Sequence, residues 1–258
     1  MKVAAYQAPL LAAGSMDALG LIRTRVEWCE AEGVTILCCP EAILGGLADY
    51  AEHPARLAIA ADAGRLDSAL APLASDTVTT IVGFTELADG GRLYNSAAVF
   101  QRGSVAGLYR KLYPAIKRSV YEAGRKVPVF QVGELTLGIV ICNDSNYFEP
   151  ARLMAAQGAT ALFVPTNNGL SPTRARAELV AQARNVDIAR AVENGMWVIR
   201  ADVAGRTGEL VSYGSSAIVD PEGTVVQSAR QMTDDLIVAE IDTAPRAQRR
   251  GASVTALS

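Results

Sequence analysis

Three residues of this chain pair reactive chemistry with similar settings. Cys142 closes the run Leu135-Thr-Leu-Gly-Ile-Val-Ile-Cys142 and is followed by Asn-Asp-Ser. A thiol where an apolar strand gives way to a polar turn is presented as a nucleophile would be, much as the serine of α/β-hydrolases is. Glu41 follows Cys39-Pro40, again at the end of an apolar run, and Lys111 lies in Tyr109-Arg-Lys-Leu-Tyr-Pro114, where another strand should end. Thiol, carboxylate and amine are the parts that acyl transfer needs: a nucleophile, a proton shuttle and a fixed positive charge for an oxyanion.

The rest of the composition narrows the chemistry. There is one histidine, His53, in a polar stretch before Pro54. A Cys-His or Ser-His-Asp system would need that single imidazole beside the nucleophile, so another group is expected to activate Cys142. The four cysteines (Cys29, Cys38, Cys39, Cys142) form no Cys-x-x-Cys pair, which with one histidine argues against zinc. Cys29, Cys38 and Cys39 are expected as small buried hydrophobes. The net charge of −3 is scattered with no basic stripe, so nucleic acid is not expected as a partner. No apolar run reaches the roughly 20 residues that span a membrane. The start, Met1-Lys-Val-Ala-Ala-Tyr, reads as a strand and not as a signal peptide, so a cytoplasmic location is expected.

Apolar strands alternating with helices must position these groups. Strands are expected over 3–6, 34–39, 79–84, 94–100, 105–109, 127–132, 135–142, 161–165, 196–201, 216–219 and 236–241. Gln101-Arg-Gly-Ser104 reads as a hairpin turn. Ser15 is a plausible N-cap for a helix carrying Leu19, Ile22, Val26 and Cys29 at helical spacing, ended by Gly33. Further helices are expected after Pro54, over 149–157, and from Ser171-Pro172 with proline in the first position. This order predicts a layered α/β domain. Periodicity alone leaves open a Rossmann-like sheet or a two-sheet sandwich, although no Gly-x-Gly-x-x-Gly is present for the former.

Glu41 in Pro-Glu-Ala, Lys111 in Tyr-Arg-Lys-Leu and Cys142 in Ile-Cys-Asn-Asp resemble, in order and spacing, the Glu-Lys-Cys triad of the nitrilase (carbon–nitrogen hydrolase) superfamily. The resemblance runs from Lys2-Val-Ala-Ala-Tyr-Gln7 to Val238-Ala-Glu-Ile-Asp242. It includes Arg190-Ala-Val-Glu-Asn194 and the stretch Gly214 to Gly223. It implies a four-layer α-β-β-α sandwich over 1–245, with 246–258 as a tail that could reach across a homodimer or larger homo-oligomer. It implies an amidohydrolase of the amidase or carbamoyl-amidase-like branch, with no metal or organic cofactor. Such an enzyme cleaves a small non-peptide amide or carbamoyl compound through a cysteine thioester and releases ammonia or an amine. Glu41 would be the base, Lys111 the oxyanion stabiliser helped by the Asn143 backbone N–H, and Cys142 the nucleophile. Glu122, in Val120-Tyr-Glu-Ala-Gly124, matches a second glutamate that would orient Lys111. Asp144 is expected to hold the turn after Cys142.

The substrate is less constrained. Cys-Asn-Asp resembles the branch acting on N-carbamoyl amino acids, but the two arginines that follow in that branch are Ser145 and Asn146 here. That departure points to a neutral or differently anchored amide. Tyr113, Tyr147, Thr166, Asn167 and Asn168 follow the expected strands and are candidate pocket walls. Arg174 and Arg176 are candidate charge anchors. Nitrile hydrolysis with the same triad and a non-catalytic binding protein on the same fold are the rival readings.

Overall fold

A computed structural model describes residues 1–15, 17–116 and 118–244. The expected tail over 246–258 lies outside the described residues. Among the described residues, nine strands form one sheet and six form a second. In the first sheet, Lys2–Pro9 runs parallel to Ile36–Cys38, which runs parallel to Thr79–Leu87. Leu93–Gln101 and Ser104–Arg110 then add antiparallel, so Ser104–Arg110 points the same way as Ile36–Cys38. In the second sheet, Leu135–Ile139, Ala161–Pro165 and Trp197–Ala201 are mutually parallel. The segments carrying Glu41, Lys111, Cys142 and Asn167 therefore all leave the carboxyl ends of like-directed strands, where open α/β sheets bind ligands.

The layering follows from side-chain alternation. Along Lys2–Pro9, Val3 and Ala5 enter the core between the sheets with Ile36, Cys38, Ile139 and Phe163. Ala4, Tyr6 and Ala8 face the other way and pack with Ile22, Val26 and Cys29 of helix α1 (Ala18–Ala31) and with Leu66 and Leu70 of α2 (Ala63–Leu70). A strand buried on both faces reads as a continuous apolar run. Helices α3 (Phe148–Ala156) and α4 (Glu178–Asn194) serve the second sheet, placing Ala151, Met154 and Ala191 in its core. The result is the expected α-β-β-α sandwich. No helix among the described residues is long and apolar enough to cross a membrane.

Several expected boundaries move. Helix α1 starts after Asp17, and the Ser15 hydroxyl accepts from the Asp17 N–H instead of capping the helix itself. The stretch after Pro54 forms only a short 3-10 turn, Pro54–Leu57, with α2 following later. The helix expected from Ser171-Pro172 begins at Glu178. The N–H groups of Arg174 and Ala175 both bond back to the Ser171 carbonyl, closing a single turn that does not propagate.

Candidate active site

Glu41 is held between the two sheets. The N–H of Cys39 donates to the Ile81 carbonyl (2.8 Å), and that of Glu41 to the Thr166 carbonyl (3.3 Å) on the opposite sheet. The Pro40–Ala42 segment lies directly on Gly83, where an added Cβ would sit 2.5 Å from the Pro40 carbonyl oxygen and the Ala42 nitrogen. Only a residue without a side chain admits that approach. The Glu41 side chain is buried. Its Oε1 accepts from Lys111 Nζ (2.5 Å) and Asn95 Nδ2 (2.7 Å), and its Oε2 from the Asn167 N–H (3.0 Å). A carboxylate has about four acceptor positions, so Oε2 keeps capacity for one more proton donor.

Lys111 follows the strand Ser104–Arg110 directly. Its N–H donates to the Asn95 carbonyl and its carbonyl accepts from the Gly124 N–H, both at 2.8 Å. Gly124 is packed so closely that a Cβ there would lie 2.3 Å from the Arg110 carbonyl oxygen. Burial, the largest single influence, would lower the Lys111 pKa, but the Glu41 carboxylate together with Cys142 and Asp144 outweighs it and the net shift is upward. The amine is a permanent cation in the site.

Cys142 has φ +47°, a left-handed conformation that non-glycine residues rarely adopt. Asp144 staples this corner. Its Oδ2 accepts from Tyr109 Oη (2.8 Å) and the Ile141 N–H (3.1 Å), while Oδ1 accepts from the Tyr113 N–H (2.7 Å). Ser145 Oγ donates to the Cys142 carbonyl (2.7 Å) and accepts from Arg200 Nη2 (3.0 Å). Arg200 is buried and clasped by Asp187 through two nitrogens (2.6 and 2.8 Å). Burial pushes the Cys142 thiol up to about 12, and the Glu41 charge adds to the rise; Lys111 and Arg200 offset only part of it. The resting group is a neutral thiol that needs a base at the moment of attack.

Glu41, Lys111 and Cys142 line one cavity of about 300 Å³, together with Asn143, Asn167 and Asn168. Asn168 Oδ1 sits 4.0 Å from Cys142 Sγ, and its amide is fixed by Asp202 (2.9 Å). Of the two candidate charge anchors, Arg174 lines this cavity and Arg176 lines a separate small pocket. The other expected residues fall elsewhere. Glu122 is exposed and lines a separate cleft, where its Oε2 accepts from Tyr94 Oη (3.3 Å). It does not orient Lys111, because the neighbouring Tyr121 turns inward and takes the buried position, bonding Thr85 and Ala48. Tyr113 and Tyr147 stack on each other with ring centroids 3.8 Å apart, and neither lines the cavity. Tyr147 precedes α3 and is 42% exposed, so its ring faces outward. Thr166 is buried beneath the site, its hydroxyl donating to the Val164 carbonyl and accepting from Arg200. Asn95, Gly83 and Arg200 were not anticipated. Arg200 carried a signal, as a charge inside the apolar run Trp197-Val-Ile-Arg-Ala201.

Comparison with known proteins settles the family. The sequence matches the family described as carbon-nitrogen hydrolase over residues 2–250. The chain belongs to that family. This hydrolase is 33% identical over 181 residues to a protein named nitrilase from Pyrococcus abyssi, a match covering 69% of the chain and 65% of that relative. It is 32% identical over 178 residues to the N-carbamoylputrescine amidase of Solanum tuberosum, covering 62% of the chain and 58% of that protein. The matches thus span about three-fifths of the length of these relatives. Its fold superposes on a cysteine-to-alanine mutant of the Nesterenkonia AN1 amidase with a TM-score of 0.74 at 24% identity, covering 95% of this chain and 92% of that one.

Proposed function

We propose that this carbon–nitrogen hydrolase is an amidohydrolase acting on a small amide or carbamoyl compound. The observation carrying this reading is that Glu41, Lys111 and Cys142 share one cavity, with Glu41 paired to Lys111 and the thiol on a strained corner. As Cys142 Sγ attacks the carbonyl carbon, Glu41 takes the thiol proton. The carbonyl oxygen becomes an oxyanion facing Lys111 and the Asn143 N–H, which lies in the first turn of the 3-10 helix Cys142–Asn146 where early N–H groups lack an intrahelical acceptor. Collapse expels ammonia or an amine, protonated by Glu41, and leaves a thioester. Water, deprotonated by Glu41, then hydrolyses the thioester and restores the thiol.

Nitriles would use the same groups, and one relative is named for that activity. Residues 1–245 are read as a single hydrolase unit. A homodimer is supported by exposed Phe148, Leu153 and Val192 on α3 and α4. The free thiols Cys29, Cys38 and Cys39 suit a reducing, cytoplasmic compartment. Ammonia release from a panel of short amides, carbamoyl compounds and nitriles, with Cys142→Ala as control, tests the reading. Cysteine-dependent release from amides or carbamoyl compounds supports it. Release from nitriles alone replaces it with the rival.

A further inference from the structure

A second cleft, of about 470 Å³, shares no lining residue with the catalytic cavity. Its charged residues are Arg92, Arg110, Arg125, Lys126 and Glu122, and Tyr94 lines it with them. Arg110 is committed to the buried Glu86 carboxylate, with Nε at 2.8 Å. That leaves Arg92, Arg125 and Lys126 against Glu122 alone, an excess of two positive charges. Among the described residues, Arg125 and Lys126 have no ion pair and no side-chain hydrogen bond. Arg92 Nε donates to the carbonyl of Asp89 (3.1 Å), not to its carboxylate. The cations stand on fixed supports. The Glu122 N–H donates to the Leu93 carbonyl and the Gly124 N–H to the Lys111 carbonyl, both at 2.8 Å. The Arg92 and Arg110 guanidinium groups lie 6.0 and 4.2 Å from the centroid of the buried Tyr94 ring.

We propose that this cleft binds a phosphate dianion, as a phosphomonoester or as free phosphate. A cleft lined by one sign of charge concentrates the opposite ion. Guanidinium forks pair with phosphate oxygens through parallel hydrogen bonds, and a lysine adds a point charge. A dianion matches the excess of two charges. Glu122 opposes an anion, and its Oε2 is turned to the Tyr94 hydroxyl (3.3 Å). The Tyr94 ring is already engaged by guanidinium groups, so the cleft offers charge and not a platform on which a base could stack. Its volume is that of a small-molecule site, and Leu108 and Pro128 are placed to take the organic part of an ester. The site lies outside the catalytic cavity, so the proposal does not rest on which amide Cys142 attacks.

The test is calorimetric titration of the full chain with phenyl phosphate and with inorganic phosphate, at constant ionic strength and about pH 8, where a phosphomonoester is a dianion. Saturable one-to-one binding of at least one probe is expected, with Kd at or below about 1 mM. Arg125 and Lys126 are exposed, and the double variant Arg125→Gln/Lys126→Gln should weaken binding roughly 10- to 100-fold, the worth of a charge-assisted contact. Arg92→Gln, on a separate segment, should weaken it as well. Arg102→Gln/Arg206→Gln removes two charges from exposed positions outside the cleft and should leave binding unchanged. Tighter binding of phenyl phosphate identifies the ester as the ligand, and tighter binding of inorganic phosphate the free ion. No saturable binding of either probe overturns the proposal. So does binding untouched by Arg125→Gln/Lys126→Gln, or weakened equally by the control pair. The readout needs no turnover, so a failure here leaves the amidohydrolase reading as it stands.

Discussion

The floor of the cavity and its rim are built in opposite ways. The polar groups on the floor have protein partners: Glu41 accepts from Lys111, Asn95 and Asn167, and the Cys142 corner is tied down by Asp144 and Ser145. Glu41, Lys111, Asn95 and Asp144 on the floor are buried and Cys142 is half-buried, and these groups hang from the strands of two sheets or their ends. The rim comprises short turns around Tyr50, Ile116 and Arg174, with side chains that end in the cavity. The contrast separates two tasks. Chemistry needs groups fixed to a fraction of an ångström, while selection among substrates is left to loops that a rigid scaffold carries.

Substitutions on the floor should therefore damage turnover and those on the rim should shift selectivity. The largest effect is expected for Glu41→Gln, which keeps the shape and removes the base. Its kcat should fall about 100- to 10,000-fold, the usual worth of a positioned general base, with steady-state kinetics as the readout. Gly83→Ala comes next. The new methyl cannot fit 2.5 Å from the backbone of Pro40 and Ala42, so Glu41 must move, and a displacement near one ångström costs about 100-fold in turnover. Circular dichroism should still show a folded protein. An unchanged kcat in this variant would mean that Glu41 is not the group whose placement matters.

Arg200→Met probes what lies under the floor. It leaves Asp187, fully buried, without its partner, at a cost of about 3–5 kcal/mol in denaturant unfolding. Adding Asp187→Leu should recover most of that loss. Activity in the double variant then reports how far Arg200 positions Cys142 through Ser145. The smallest effect belongs to the rim. Leu179→Ala should raise KM roughly threefold for a chain-bearing amide, the worth of about one buried methylene, and leave kcat alone. A large fall in kcat would erase the distinction between the two regions.

The floor was legible in the sequence because its signals are local. An apolar strand ending in Pro40-Glu41, in Arg110-Lys111 or in Ile141-Cys142 states both the residue and where it will be presented. The burial of residues 79–84 likewise follows from composition, whereas the strand runs on to Leu87 and buries Glu86, which Ser96 and Arg110 hold. What could not be read depends on non-local packing. Whether Tyr121 or Glu122 turns inward is decided by Thr85 and Ala48, far off in the chain. Asn95 looks like any polar residue in a hairpin strand, and its role appears only once Glu41 and Lys111 are placed on either side of it. Pro172 is compatible with the first turn of a helix, yet the chain closes one turn there and starts α4 at Glu178. That break sets the turn carrying Arg174 at the cavity mouth.

The central claim is that Cys142 carries the acyl group and Glu41 activates it. The most direct measurement is intact-protein and peptide mass spectrometry after acid quench, a few milliseconds after mixing the enzyme with a short-chain 4-nitrophenyl ester. The account predicts the acyl mass on the peptide containing Cys142 in the wild type, none in Cys142→Ala, and markedly slower acylation in Glu41→Gln. Acyl mass on another residue, or acylation that persists in Cys142→Ala, would contradict it.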